Sequence, residues 1–258
     1  MKASDFETIS RTANRDQARR ELAYELVSGA SGLILALFMW GHMVLVGSIL
    51  TGERGFDWLA SLLEDYYIAQ PTVLAIFALF LIHAVFASRK IPTQLRERRR
   101  LLQLSRDLRN SGRERPVTVS EHSPFQPHLE SMLWIWQVRS GMIILVIGSF
   151  HIILLAVDVF TPLFGAGPGI ESATTLARVG AGLWLPYAIL LLCVEFHASV
   201  GLYRLAVKWG FGASLSRRSL RTIEQLLFWG FLILGVVTLL VLAGWLEPPL
   251  AFLLGAAT

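Results

Sequence analysis

Five apolar runs, near residues 29–51, 72–88, 132–157, 180–203 and 225–246, limit what this chain can become. A helix rising 1.5 Å per residue needs roughly 20 such residues to cross a hydrocarbon core of about 30 Å. Inside that core only helices and closed barrels satisfy every backbone N–H and C=O group. Long apolar runs without strict alternation point to helices. The composition agrees, since 16% of the 258 residues are charged, where a soluble domain carries about 25%. The expected fold is an all-α polytopic membrane protein with five transmembrane helices.

Charge sets the expected orientation. Lys2, Arg11, Arg15, Arg19 and Arg20 precede the first run. Ten Lys/Arg fall in "RKIPTQLRERRRLLQLSRDLRNSGRER" between the second and third, and Arg204, Lys208, Arg217, Arg218 and Arg221 lie between the fourth and fifth. The other side has only Arg54 and Arg178, with Arg139 left inside the third run. Basic loops stay in the cytoplasm, so residues 1–28 form a cytoplasmic N-terminal segment. Residues 29–246 form the membrane domain, and 247–258 an outer tail. The polar start of the chain is not read as a cleavable signal peptide. It is expected to make an amphipathic helix leading into the first span. "LRERRRLLQLSRDLRN" has helical propensity. The basic surplus suits lipid headgroups or a cytoplasmic partner, and no nucleic-acid motif accompanies it. The single cysteine, Cys193, excludes a disulfide within the chain. Gly165, Gly167 and Gly169 follow no strand and read as turn residues, not as a nucleotide fingerprint.

Four of the six histidines, His42, His83, His151 and His197, lie one to a run in the first four runs. His122 and His128 fall in a polar loop and read as surface residues. A lone intramembrane histidine is commonly a packing hydrogen-bonder. Four in separate helices are harder to explain that way, because each polar side chain in lipid costs free energy. Depth sharpens the argument. At 1.5 Å per residue, His83 and His197 lie about 10 Å inside the cytoplasmic edge, and His42 and His151 about 10–15 Å inside the outer edge. The histidines therefore form two pairs, one in each leaflet, as two six-coordinate b-type haems stacked across the membrane require. Zinc fits less well, since it wants four ligands at one depth.

Residues eleven apart on a helix share a face. Ser31 precedes His42 by eleven in "SGLILALFMWGH", and Ser140 precedes His151 by eleven in "SGMIILVIGSFH". Thr72 stands likewise before His83, and Lys208 eleven after His197. The small residues would leave room for a macrocycle edge, and Lys208 would meet a haem propionate. Tight helix packing alone is the competing explanation for the small residues. Glu195 sits two residues from His197, about 200° around the helix, so it cannot ligate the same iron. Burial favours its neutral form and suggests a proton-carrying group.

"LFMWGHM", "LFLIHAVFASRKIP", "IGSFHIILL" and above all "VEFHASVGLYRLAVKWG" resemble the five-helix di-haem cytochrome b subunit of quinol:fumarate reductases and menaquinone-linked succinate dehydrogenases. The likeness runs from about residue 20 to 245. It implies two haem b groups within a four-helix bundle, the inner on His83 and His197 and the outer on His42 and His151. Trp134 and Lys208 match positions at the inner propionates. Ser28 falls at a third such position, where the residue type differs. Arg178 resembles an arginine near the outer haem, with a one-residue gap between it and Trp184. Glu64, in "LASLLEDYY", matches an outer glutamate of quinol oxidation, with Asp65 a competitor beside it.

The resemblance further implies a bacterial cytoplasmic membrane, menaquinone as substrate, and two partner subunits on the cytoplasmic side. These are an iron–sulfur protein and an FAD flavoprotein that holds the dicarboxylate site. It leaves the direction of turnover and dimerisation of the complex open. The competing assignments are the cytochrome b subunit of a membrane hydrogenase or formate dehydrogenase, and a haem-free transporter or scaffold.

Overall fold

The computed structural model describes residues 3–89, 91–110, 129–161, 163–164, 170–211 and 214–254. His122, His128, Gly165, Gly167 and Gly169 lie outside the described residues. Eight α-helices and no strand occur among those described: α1 (Ala3–Gly47), α2 (Glu53–Asp65), α3 (Ala69–Ser88), α4 (Ile91–Asn110), α5 (Leu129–Phe160), α6 (Ser172–Arg178), α7 (Trp184–Trp209) and α8 (Arg217–Leu242). Five helical stretches are long and apolar enough to cross a membrane: Arg15–Thr51, Pro71–Leu104, Ser131–Asp158, Ser172–Trp209 and Arg217–Leu242. The chain is an all-α polytopic membrane protein.

The helices overrun the apolar runs at most ends, because a helix propagates cheaply once nucleated and the flanks hold few breakers. The N-terminal segment continues into the first span within the single helix α1. The basic segment after α3 forms α4. Large apolar side chains such as Leu37, Val44, Leu74, Val85, Val146, Ile153, Leu226 and Ile233 point outward. That is the expected arrangement where lipid tails are the solvent and helices associate through close packing and polar contacts.

Packing divides the bundle. Helix α1 lies along α3, α5 along α7, and α8 covers α7 and touches α1. Close backbone approach between α1 and α5, and between α3 and α7, is sparse. At the end of the bundle that carries the basic segments, Arg89 pairs with Glu21 at 2.6 Å and lies 3.9 Å over the Tyr24 ring.

The opposite end has its own small core, in which Ile49, Leu50, Phe56, Ala60, Val179, Val241 and Leu242 are buried together. Helix α2 joins it through Phe56 and Ala60 and leaves Trp58 and Leu62 exposed. Asp57 of α2 accepts from the Ser172 backbone N–H (2.7 Å) and hydroxyl (2.9 Å), which caps α6 from across the fold. Hydrogen bonds to a charged group contribute about 1.5–3 kcal/mol, enough to fix α2 against α6. Between α6 and α7 lies a π-helical segment, Val179–Leu183, kinked at Gly182. Its φ of +98° is open to glycine and strained for residues with a Cβ. The helical path is interrupted at this glycine, so α6 and α7 meet across a kink there.

Candidate functional site: two histidine pairs between helix pairs

The four intramembrane histidines meet across the sparse seam. His42 on α1 faces His151 on α5, with ring centroids 6.5 Å apart and planes at 58°. His83 on α3 faces His197 on α7 at 6.3 Å and 90°. Two metal–nitrogen bonds of about 2.0–2.1 Å, with each metal on the line between the rings, need centroids roughly 6 Å apart. Among the described residues no group of three or more His, Cys, Asp or Glu is placed to hold a metal ion. Each pair therefore suits a metal that brings its remaining ligands with it, as an iron porphyrin does. Two donors per site and separated helices fit haem.

The inner pair is hydrogen-bonded behind the rings. His83 Nδ1 donates to the Ser28 carbonyl (3.1 Å), and His197 Nδ1 to the Gln137 carbonyl (2.9 Å). A carbonyl only accepts, so Nδ1 carries the proton in both rings and Nε2 is left with its lone pair. Ser31 and Ser140, both buried, place their hydroxyls 3.1 and 3.4 Å from the same Nδ1 atoms. The sequence reading placed these serines on the faces of His42 and His151 and assigned them to a macrocycle edge. Their immediate neighbour is an imidazole of the adjacent helix. Gln137 was missed, and its side chain also accepts from Arg204 at 2.5 Å.

The outer pair is surrounded differently. His42 stacks on Phe38 at 5.8 Å, and His151 meets the Tyr187 ring edge-on at 5.2 Å. His151 Nδ1 and the Tyr187 hydroxyl have no hydrogen-bond partner. Arg178 lies close enough to act electrostatically on both. It is 3% exposed and pairs at 3.3 Å with Asp158, itself 1% exposed. Thr175 and the Leu163 backbone N–H complete this cluster. An uncompensated charge at such depth would be costly, so the pair holds together as a unit. Asp158 and Tyr187 had not been recognised from the sequence. A buried charge 20 residues from its partner gives no local signal.

The remaining residues scatter around these pairs. Trp134 is half-buried near the start of α5. Lys208 is ion-paired with Glu25 of α1 and lies 5.5 Å from the Trp209 ring centroid. Thr72 is in the first turns of α3 and half-buried. Glu64 is half-buried in the last turn of α2, and Asp65 after it is exposed. The helix ends there in a left-handed turn at Tyr67 (φ +54°), closed by Tyr67 N–H to the Glu64 carbonyl and Ile68 N–H to the Leu63 carbonyl, both at 2.9 Å. Carboxylates at a helix C-terminus oppose the macrodipole by about 0.3–1 kcal/mol, so helix stability does not explain them.

Glu195 is on the opposite side of α7 from His197. It is 1% exposed, with neither carboxyl oxygen hydrogen-bonded. The Trp40 indole, stacked on Phe231 at 5.1 Å, faces it. Ser199, one turn along α7, is also buried and its hydroxyl has no hydrogen-bond partner.

The class the fold defines is an all-α membrane bundle in which two pairs of histidines face one another between helices. Residues 113–243 match the family described as succinate dehydrogenase/fumarate reductase transmembrane subunit. The chain is 30% identical over 239 residues to the fumarate reductase cytochrome b subunit of Wolinella succinogenes, covering 88% of this chain and 84% of that protein. It is 29% identical over 222 residues to the subunits of the same name from two Helicobacter pylori strains, covering 83% of this chain and 77% of each. The chain belongs to the succinate dehydrogenase/fumarate reductase transmembrane subunit family, the membrane anchors of complex II.

Proposed function

We propose that this chain is the di-haem cytochrome b anchor of a quinol:fumarate oxidoreductase. The observation that carries the reading is the pair of histidine couples, 6.5 and 6.3 Å between centroids, with two donors each. His42 and His151 would hold the outer haem b, and His83 and His197 the inner one. Haem, when bound, supplies reversible one-electron exchange at its iron.

The chain's own residues do the rest. The Ser28 and Gln137 carbonyls keep Nδ1 protonated and aim Nε2 at the metal position. Lys208, Trp134 and Ser28 lie toward the cytoplasmic end, where they would meet the inner propionates, and Glu25 shares the Lys208 charge. Arg178 supplies a buried cation beside the outer couple. Glu64, at the outer end of α2, accepts a proton as menaquinol is oxidised. Electrons then pass inward to an iron–sulfur subunit and a flavoprotein that reduces fumarate, or run the other way when succinate is oxidised. The basic ends of the helices support a cytoplasmic position for those partners and the N-terminus, at a bacterial inner membrane. The dicarboxylate site belongs to the partner chain.

The test is spectroscopic. The purified complex is expected to show a reduced b-type band with two haems per anchor chain, both reducible by menaquinol. A colourless preparation would remove the proposal. Co-purification with a hydrogenase or formate dehydrogenase subunit would instead favour that assignment.

Glu195 is read as a proton-carrying group in the bundle interior. What supports this reading is a carboxyl buried in the bundle interior with the Trp40 indole facing it. Glu195→Gln is expected to slow quinol-linked turnover with both haems retained, checked by stopped-flow haem oxidation in the complex. Undiminished turnover would rule the relay out.

A further inference from the structure

We propose that Ser31–Gly32 on α1 and Ser140–Gly141 on α5 are seats that fix the ring orientation of His83 and His197. Seated in this way, the inner couple is fixed by hydrogen bonds to the neighbouring helix, which His151 of the outer couple lacks. The inference rests on the haem reading above and adds positioning residues to it.

The two seats are built alike. In each, the serine hydroxyl donates to the carbonyl three residues before it, Ser31 to Ser28 (3.1 Å) and Ser140 to Gln137 (3.0 Å). The same carbonyl accepts from the Nδ1–H of a histidine on the neighbouring helix. The hydroxyl oxygen stands beside that Nδ1 as a second acceptor. Each imidazole is thus held at one nitrogen from two directions, which restrains rotation about its Cβ–Cγ bond as well as the tautomer.

The glycine that follows completes the seat. A Cβ at Gly32 would stand 2.8 Å from His83 Cε1, and a Cβ at Gly141 2.8 Å from His197 Cε1. Both rings lie directly on backbone, where a methyl group would displace them. With Nδ1 pinned and Cε1 flush against the helix, the plane of each ring is set by α1 or α5. The two seats impose the 90° angle between the inner rings.

The outer couple has no such arrangement. His151 Nδ1 has no hydrogen-bond partner, and the outer planes cross at 58°. The repetition is also sequential, since each seat lies eleven residues before an outer histidine on its own helix. One helix therefore carries an outer ligand and positions an inner one borne by its neighbour.

The test uses the intact complex and reads the ferric low-spin resonances of the two haems by electron paramagnetic resonance, which report axial ring planes, together with haem per anchor chain. In S31A/S140A the carbonyls remain, so both haems are expected to stay while the inner resonance shifts and the outer one does not. In G32A or G141A the ring is pushed off its seat. Haem is expected to fall from two towards one, with the outer resonance kept as the internal sign of a folded bundle. An unchanged inner resonance in S31A/S140A overturns the serine role, including where a glycine variant fails to assemble. Full inner haem with an unshifted resonance in both glycine variants overturns the seats. In either case a pigmented wild type leaves the haem reading standing, whereas a colourless wild type removes both.

Discussion

Replacing His197 by alanine is expected to halve the haem content of the complex and to reduce quinol-linked fumarate reduction to background. Among the described residues it is one of two histidines that face each other at the inner site, with no third His, Cys, Asp or Glu grouped with them to take its place. The Ser140–Gly141 seat would remain without its ring, and His83 alone, held by Ser28, would offer a single axial ligand. On the proposed function, transfer to the partner subunits would then lack its inner station. Dye-coupled succinate oxidation, which bypasses the membrane, is expected to persist. Haem extraction with reduced-minus-oxidised spectra measures the first expectation, and menaquinol–fumarate and succinate–dye assays in parallel measure the second. Two haems retained in H197A would mean that the couples do not hold them.

Glu64→Gln is expected to lower menaquinol oxidation by about 100-fold or more, the lower end of what a positioned proton acceptor contributes. The substitution keeps size and polarity, and the residue is half-buried at the end of an outer helix, so folding and haem content are expected to be unaffected. Asp65 offers a control. It is adjacent and exposed, and D65N is expected to leave turnover near wild type. Haem reduction by menaquinol in single turnover separates a proton-transfer defect from loss of quinol binding. Equal effects of the two substitutions would assign the loss to surface charge, not to Glu64.

The membrane class and the pairing of the histidines could be read from the chain because both depend on simple metrics. Run length reports thickness, and the rise per residue converts position into depth. His42 with His151 and His83 with His197 follow from depth alone. Lateral neighbours do not. Spacing put Ser31 and Ser140 on the ligand faces, yet nothing in it says that α1 lies against α3 and α5 against α7, so their contact with the inner imidazoles had to come from the fold. The Asp57–Ser172 and Asp158–Arg178 contacts were hidden for the same reason, since each joins segments distant in sequence. Helix α2 was the more legible omission. Phe56, Ala60 and Leu63 recur at helical spacing in what had been treated only as a connection carrying Glu64.

The division of the bundle into an α1/α3 hairpin and an α5/α7 hairpin has a consequence for biogenesis. Each hairpin owns one ligand at each depth, so neither half can complete a coordination sphere alone. Colour would then arise only after the two halves of the chain have inserted and met, which makes pigment a coincidence detector for correct assembly.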